Sequence, residues 1–229
     1  MSRLTEMSSV PFSTARRRFL YGLLLHTFHY RILARRPDTP WRALLPPGGG
    51  GPRWRSLYGG ISPNYVGDLG WRVMHAAVPH NRRIHWFTGS ETCPFCGLVE
   101  SVDHVYVSCL RLHSLFVFLK NLLLMFCLHF SPTLLIYGHL VRRGEGRDGD
   151  LLVNLLLGLA KRAIYRSRQR AIEGDVRPDC LPLYRGYVRG QVSLEREHAV
   201  STGTVDAFRA RWAPQGLGCV IDPDNHIMI

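Results

Sequence analysis

The segment CPFCGLVESVDHVYVSC, residues 93–109, constrains the fold of this chain more than any other stretch. It contains three cysteines and one histidine: Cys93, Cys96, His104 and Cys109. A Cys-x-x-Cys turn directs two thiolates into one tetrahedron, and a following glycine, here Gly97, lets the backbone curl back towards a metal. His104 and Cys109 are spaced to share one face near the start of the following helix. Three thiolates and one imidazole leave no position open for water, which predicts a structural rather than a catalytic zinc site.

Two other uses of these thiols compete with zinc binding. CPFC alone resembles the redox dithiol of glutaredoxin-like proteins, in which the first thiol attacks from a helix N-terminus. That chemistry requires a preceding strand and an immediate helix, whereas TGSET precedes CPFC and glycine follows it. Free thiols in a hydrophobic core are the other alternative, and the sequence predicts that fate for Cys127 on its apolar helix. Three nearby histidines are alternatives to His104 as the fourth ligand: His80, His85 and His113.

The chain is strongly basic, and its positive charge is carried by arginine. Lysine and arginine together number 29 against 17 aspartates and glutamates, which gives a formal net charge of +12. Only Lys120 and Lys161 are lysines. Guanidinium groups bind phosphate bidentately and stack on bases, so this composition favours RNA or DNA as a partner, bound through phosphates. The alternative is that a GC-rich gene has drifted from lysine to arginine codons.

Two groups of basic residues are candidates for contacting nucleic acid. Arg82 and Arg83 lie close to Trp86, beside the cysteine segment, and such a mixture of cations and rings suits a single strand or a hybrid duplex. The second group lies on one predicted helix and comprises Lys161, Arg162, Arg166, Arg168 and Arg170. Its arginines at 162, 166 and 170 form an i, i+4 stripe. Cations near a helix C-terminus also complement its dipole, which is the alternative interpretation of the second group.

The sequence argues against a membrane protein and against an enzyme. The longest apolar stretch, LFVFLKNLLLMFCLHF, is interrupted by polar residues and is shorter than the roughly 20 residues that a membrane-spanning helix needs. We find no convincing export signal, so an intracellular protein, nuclear or cytoplasmic, without a membrane partner is expected. The sequence has no P-loop, no nucleophile elbow and no adjacent Asp-Asp pair. We therefore expect neither a catalytic site nor a small-molecule substrate.

Hydrophobic periodicity predicts a mainly α-helical fold with a small zinc knuckle and a short C-terminal β-hairpin. Helices are expected over residues 14–36, from 68 to a break at Pro79, and over 103–128, 150–173, 182–199 and 204–212. Asp150 and Thr204 are the expected N-caps of two of them, and the hairpin is expected over residues 219–229. Two domains are expected: residues 1–52, a basic helix with a Gly/Pro-rich linker, and residues 53–229, a helical zinc-binding region.

Six motifs occur in an order that resembles a known family. They are DTPWRALL, PRWRSLY, GDLGWRVMHAAVPHNRRIH, CPFCGLVESVDHVYVSCLRLHSLF, LLVNLLLGLAKRAIYRSRQR and VDAFRARW. Together they resemble the C-terminal region of non-LTR (LINE-type) retrotransposon reverse transcriptases, which carries the reverse transcriptase zinc-binding domain. The resemblance runs from about Arg16 to the end and is strongest from Trp54 to Arg170. One departure is Ala76, where the family usually has glycine.

The resemblance implies a zinc knuckle downstream of a polymerase, which helps to hold template RNA or target DNA during target-primed reverse transcription. The family's ligand positions fall on Cys93, Cys96, His104 and Cys109. The polymerase motif Tyr/Phe-x-Asp-Asp is absent from this chain. We therefore expect a non-catalytic fragment that binds zinc and nucleic acid, with other parts of a retroelement polyprotein as further partners. The alternatives are a thiol–disulfide oxidoreductase that uses CPFC and a degenerate fragment without specific function.

Overall fold

The computed structural model of the chain describes residues 62–174, 179–213 and 220–221. Within these ranges the protein is mainly α-helical, as predicted, and it has isolated β-bridges but no strand. The predicted helix over 14–36 and the predicted domain boundary after residue 52 lie outside the described residues. The predicted hairpin over 219–229 also lies outside them, apart from two buried residues, Val220 and Ile221.

Seven α-helices fall within the described ranges. In chain order they are α1 (Asn64–Met74), α2 (Asn81–Thr88), α3 (His113–Leu124), α4 (Pro132–Tyr137), α5 (Arg147–Ile172), α6 (Cys180–Thr202) and α7 (Val205–Trp212). A π-helical turn, His104–Ser108, and a 3₁₀ turn, Leu110–Leu112, precede α3. Thr204 is the N-cap residue of α7, as predicted. In this part of the chain every helix is too short or too polar to span a bilayer.

Helix α5 is the centre of the described fold. Its first half, LLVNLLLGLA, is almost entirely buried, and α1, α6 and α7 pack against the helix. Gly158 lies in this half, and a Cβ at that position would clash with Cγ1 of Val66 on α1. Glycine therefore permits α1 and α5 to approach each other closely. The apolar run of α5 is a core element whose sides are covered by neighbouring helices.

The prediction of one continuous helix over 103–128 is wrong. The chain leaves helical geometry at Cys109, whose backbone is extended with φ −67° and ψ 121°. Helix α3 begins at His113 and ends at Leu124. The break goes with a contact to a distant part of the chain, because the Cys109 Sγ lies within 4.8 Å of the Cys93 Sγ and a continuing helix would carry it away. Five apolar residues of this segment are nevertheless buried, namely Leu112, Leu115, Leu119, Leu122 and Leu123, whereas Phe116 and Phe126 of the same periodic set are partly exposed.

Two side chains between α3 and α5 also differ from the prediction. Cys127 is an exposed thiol in a turn with φ +56°, not a core thiol. Asp150 is not an N-cap, because α5 begins earlier; its buried carboxylate accepts hydrogen bonds from the backbone N–H, Nε and Nη2 of Arg142. Burial alone would raise the pKa of Asp150, but these bonds and the nearby His139 outweigh burial and hold the pKa below its usual value. Asp150 thus ties the α4–α5 connection to the first turn of α5.

Ala76 adopts a backbone conformation that favours glycine. Its φ is +46°, in the left-handed region, where the chain turns after α1 towards α2. Hydrogen bonds hold this turn, from the Ala76 N–H to the Val73 carbonyl at 2.9 Å and from the Ala77 N–H to the Arg72 carbonyl at 2.7 Å. A Cβ in the left-handed region is strained by about 1–2 kcal/mol. The position where the sequence departs from the family pattern is therefore a position where glycine fits better.

Replacing Ala76 by glycine should stabilise the protein. Relief of about 1–2 kcal/mol of strain at positive φ is partly offset by about 0.4–1 kcal/mol for the greater freedom of glycine in the unfolded chain, so the expected net gain in unfolding free energy is about 1 kcal/mol. Urea denaturation of the full chain measures it. Ala77→Gly is the matched control and should destabilise, because Ala77 is not among the described residues with positive φ. Destabilisation by Ala76→Gly would contradict a strained turn.

Candidate metal centre

Four potential ligand atoms meet at one place in the fold. The Sγ atoms of Cys93, Cys96 and Cys109 and a ring nitrogen of His104 all lie within 4.8 Å of one another. Cys96 Sγ and His104 Nε2 are 3.2 Å apart, and the three cysteines are free of disulfides. The ligand set predicted from the spacing is therefore brought together. The alternative histidines lie in described residues but are not part of this cluster: His80, His85 and His113.

A tight loop presents the first two thiols. The Cys93 N–H donates to the Leu98 carbonyl at 2.6 Å, and the Gly97 N–H donates to the Cys93 carbonyl at 2.8 Å. An antiparallel bridge between Thr92 and Val99 closes the loop. Gly97 has φ +78°, which is the left-handed conformation needed to turn the chain back. We call residues 92–99 the knuckle loop.

A π-helical turn presents the other two ligands. In this turn the Cys109 N–H donates to the His104 carbonyl at 2.8 Å, which is an i to i+5 bond. Ser101 Oγ accepts from the His104 N–H at 3.2 Å and fixes the start of the turn. Residues five apart are thereby held near each other. The spacing between the histidine and the last cysteine thus has a direct structural cause.

Hydrogen bonds to sulfur favour a thiolate in the cluster. A hydrogen bond between Cys93 and Cys109 raises the pKa of Cys93 and lowers the pKa of Cys109, and burial reinforces the first shift and opposes the second. The backbone N–H groups of Phe95 and Cys96 donate to the Cys93 sulfur, and the N–H of Arg111 donates to the Cys109 sulfur. Such outer contacts orient and stabilise the thiolates of a metal site.

The donor set and its geometry fit zinc. In tetrahedral coordination, with Zn–S about 2.3 Å and Zn–N about 2.0–2.1 Å, neighbouring ligand atoms lie roughly 3.5–3.8 Å apart. Atoms that already lie within 4.8 Å of one another need small side-chain movements to reach that arrangement. Cys93 and Cys109 are each 2% exposed, so a metal between them would be shielded from water. Soft thiolates also disfavour hard cations such as magnesium and calcium.

The redox interpretation of CPFC lacks its structural context. A reactive thiol in a Cys-x-x-Cys motif is accessible, lies at a helix N-terminus and has a lowered pKa. Cys93 is buried and its pKa is raised. After Cys96 the chain continues in the knuckle loop and not in a helix. The structural features that would activate the dithiol are therefore not found at this site.

A buried ion pair fixes the metal segment on helix α5. Arg168 Nε donates to Glu100 Oε1 and Arg168 Nη2 donates to Glu100 Oε2, both at 2.7 Å. Asn81, at the start of α2, accepts from Arg168 Nη2 at 3.0 Å and donates its backbone N–H to the Glu100 carboxylate. The Asn81 amide also donates to the Thr92 carbonyl at 2.7 Å. Glu100 lies between the two halves of the ligand set, so this network positions both halves.

Most of the candidate nucleic-acid residues are accessible, and two are not. Five are exposed, namely Arg82, Arg83, Trp86, Arg166 and Arg170, and Arg162 is half-buried. Lys161 and Arg168 are only 3% and 4% exposed. Their burial is incompatible with contact to a phosphate, so the prediction for these two residues is corrected. They lie on the flank of α5 that faces the core, whereas the stripe 162, 166 and 170 faces outwards.

Lys161 is a buried cation with one hydrogen bond. Its Nζ donates to the Ile136 carbonyl at 3.2 Å, which ties α4 to α5. Burial lowers the pKa of Lys161 to about 8, because the charged form loses its hydration. Its role in the fold is to hold two helices together, and that role removes it from the accessible basic surface.

Sequence reasoning missed the residues that support these side chains. Glu100 and Asn81 hold Arg168, and the rings of Tyr65 and Tyr187 lie 3.9 and 5.0 Å from the guanidinium of Arg162. No local pattern marks them, because each partner is distant along the chain. One signal was available: a carboxylate inside a metal-ligand segment of a basic chain requires a cationic partner when it is buried.

The chain is similar to a protein encoded by a transposon. It is 41% identical over 225 residues, or 98% of its length, to the "Transposon TX1 uncharacterized 149 kDa protein" of Xenopus laevis. The chain spans 17% of the length of that curated relative. No family model matches the chain, and no solved structure matches it.

The geometry of the cluster predicts one zinc ion per chain. Protein purified without added zinc should contain about one equivalent by metal analysis, and Cys96→Ser or Cys109→Ser should lower it well below one. Structural zinc can contribute roughly 10 kcal/mol or more of apparent folding free energy in small modules. Chelation should therefore increase hydrogen exchange at least over residues 86–112.

Cys127→Ser provides the matched control, because Cys127 is an exposed thiol outside the cluster. It should leave the zinc content unchanged. Equal zinc content in the Cys96→Ser, Cys109→Ser and Cys127→Ser variants would contradict the assigned ligand set.

Proposed function

We propose that this chain is a non-catalytic module of a retrotransposon-derived reverse transcriptase protein that binds zinc and nucleic acid. The assembled Cys₃His cluster is the observation that carries the proposal. Similarity over 98% of the chain to a transposon protein supports a transposon origin. The order of the six sequence motifs supports the finer assignment, namely the zinc-binding domain of LINE-type reverse transcriptases.

The proposed role of zinc is structural. Cys93 and Cys96 from the knuckle loop and His104 and Cys109 from the π-turn would hold the ion and so join the two segments. Four protein ligands complete a tetrahedral shell, which leaves no position for a substrate. The same segments are linked to α2 through Asn81. The metal would therefore stabilise the segments that contact α2, the helix that carries the exposed arginines.

The proposed ligand is RNA or DNA, bound mainly through phosphates. The formal net charge is +12, and exposed arginines occur on α2 at positions 82 and 83 and on α5 at positions 166 and 170. Arginine matches phosphate geometry bidentately and tolerates any sequence, because phosphate contacts position a nucleic acid without reading its bases. A module of this kind would hold template or target strands while other parts of the polyprotein carry out polymerisation.

Binding should weaken with salt in proportion to the phosphates that the protein neutralises. For the zinc-loaded full chain we expect log affinity to fall linearly with log salt, with a slope of about −0.7 per phosphate on single strands and −0.9 on duplex. Arg82→Gln with Arg83→Gln should make the slope on single strands shallower by about 1.4. A filter-binding titration with RNA and DNA measures it.

Lys161→Met is the control for this titration, because it removes a positive charge that is buried. Its salt slope should equal that of the unmodified chain. Binding that is undetectable, or that does not change with salt, would contradict the proposed function and favour a degenerate fragment that folds without a specific ligand.

A further inference from the structure

Three helices line an open cavity of about 370 Å³ whose walls combine arginines with tyrosines. Helix α1 contributes Tyr65 and Arg72, α5 contributes Arg162, Tyr165 and Arg166, and α6 contributes Tyr187. Because α1 and α6 both pack against α5, the cavity is built from the framework of the fold rather than from a loop.

The guanidinium of Arg162 contacts two tyrosine rings in this cavity. Its Cζ is 3.9 Å from the ring centroid of Tyr65 and 5.0 Å from that of Tyr187. Cation–π contacts hold a guanidinium in place without neutralising its charge. Tyr65 remains 48% exposed. The ring therefore has surface left for a ligand even though one side contacts Arg162.

The arginines of the cavity are not neutralised by carboxylates of the described residues. Among the described residues, Arg72, Arg162 and Arg166 form no ion pair. Arg166 donates to the neutral side-chain oxygen of Gln169 at 2.8 Å. Among the described residues that line the cavity, Asp68 is the one acidic residue, against three arginines. The cavity is therefore positive and suits an anionic ligand.

We propose that this cavity binds one nucleotide of a single-stranded RNA or DNA, with its phosphate on Arg72 and Arg166 and its unpaired base against the exposed surface of Tyr65. The inference rests on the proposed function and locates one of its contacts. Single strands expose base faces that stack on aromatic side chains, whereas duplex stacking hides them. A peptide of acidic residues alone, such as polyglutamate, would use the arginines but has no aromatic group to stack on the ring.

The charge contribution is tested with the zinc-loaded full chain and a short oligouridylate. Arg72→Gln with Arg166→Gln should make the slope of log affinity against log salt shallower by about 0.7, since the contact to one phosphate is lost. The matched control is Arg143→Gln with Arg196→Gln, which removes the same charge from exposed positions outside the cavity. The control slope should stay close to that of the unmodified chain.

The ring contact is tested by comparing two ligands of equal charge. Tyr65→Leu should weaken binding of oligouridylate about ten-fold, within the range measured for base stacking. It should leave binding of an abasic oligonucleotide of the same length unchanged, because that ligand has no base to stack. Tyr65→Phe keeps the ring and should bind oligouridylate like the unmodified chain. Melting temperatures of the variants report any separate effect on the fold.

Four results would overturn the inference. Equal slopes for the cavity and control variants, or an equal loss on oligouridylate and the abasic strand for Tyr65→Leu, would assign the cavity to helix packing alone. A third result concerns polyglutamate. If polyglutamate competes for the unmodified chain but not for the Arg72 and Arg166 variant, and that variant binds oligouridylate as tightly as before, the cavity is a site for acidic peptides. In these three cases the proposed function still stands if the unmodified chain binds nucleic acid. Failure of the unmodified chain to bind any nucleic acid would overturn both.

Discussion

The buried ion pair between Glu100 and Arg168 is the interaction on which the arrangement of the described residues depends. Both side chains are almost inaccessible, at 0% and 4% exposure, so each charge has lost its hydration and relies on the other. A pair of this kind adds little net stability, but removal of one partner typically costs about 3–5 kcal/mol because the remaining charge is buried alone. The pair joins a residue inside the Cys/His segment to the central helix α5 and so fixes the orientation of that segment. Asn81 extends the same network to α2.

This constraint explains how a small metal segment can be part of a helical domain. The knuckle loop and the π-helical turn each contribute two ligand atoms. Glu100 lies between them in the sequence, and its carboxylate forms an ion pair with Arg168 of α5. A tetrahedral metal would then join the knuckle loop to the π-helical turn, while the ion pair holds the residue between them on α5. Helix α2, which carries the exposed arginines at 82 and 83, begins at Asn81 in the same network.

The local features of this structure could be predicted from the sequence, and the long-range ones could not. The ligand set follows from spacing, because a Cys-x-x-Cys turn and a five-residue interval each depend on nearby backbone. The helices α1, α5, α6 and α7 follow from apolar periodicity. In contrast, the break at Cys109 arises from a contact with Cys93, and the position of Asp150 arises from Arg142. Lys161 and Arg168 resembled their exposed neighbours because the partners that bury them, at Ile136 and Glu100, are far away in the chain.

The central claim is that Cys93, Cys96, His104 and Cys109 hold one zinc ion in a closed shell. X-ray absorption at the zinc edge of the purified chain tests this claim most directly, because it reports the type and distance of the ligand atoms. The account predicts three sulfur atoms at about 2.3 Å and one nitrogen at about 2.0–2.1 Å, with no water. A shell of oxygen and nitrogen atoms without sulfur, or a shell with an open position filled by water, would contradict it.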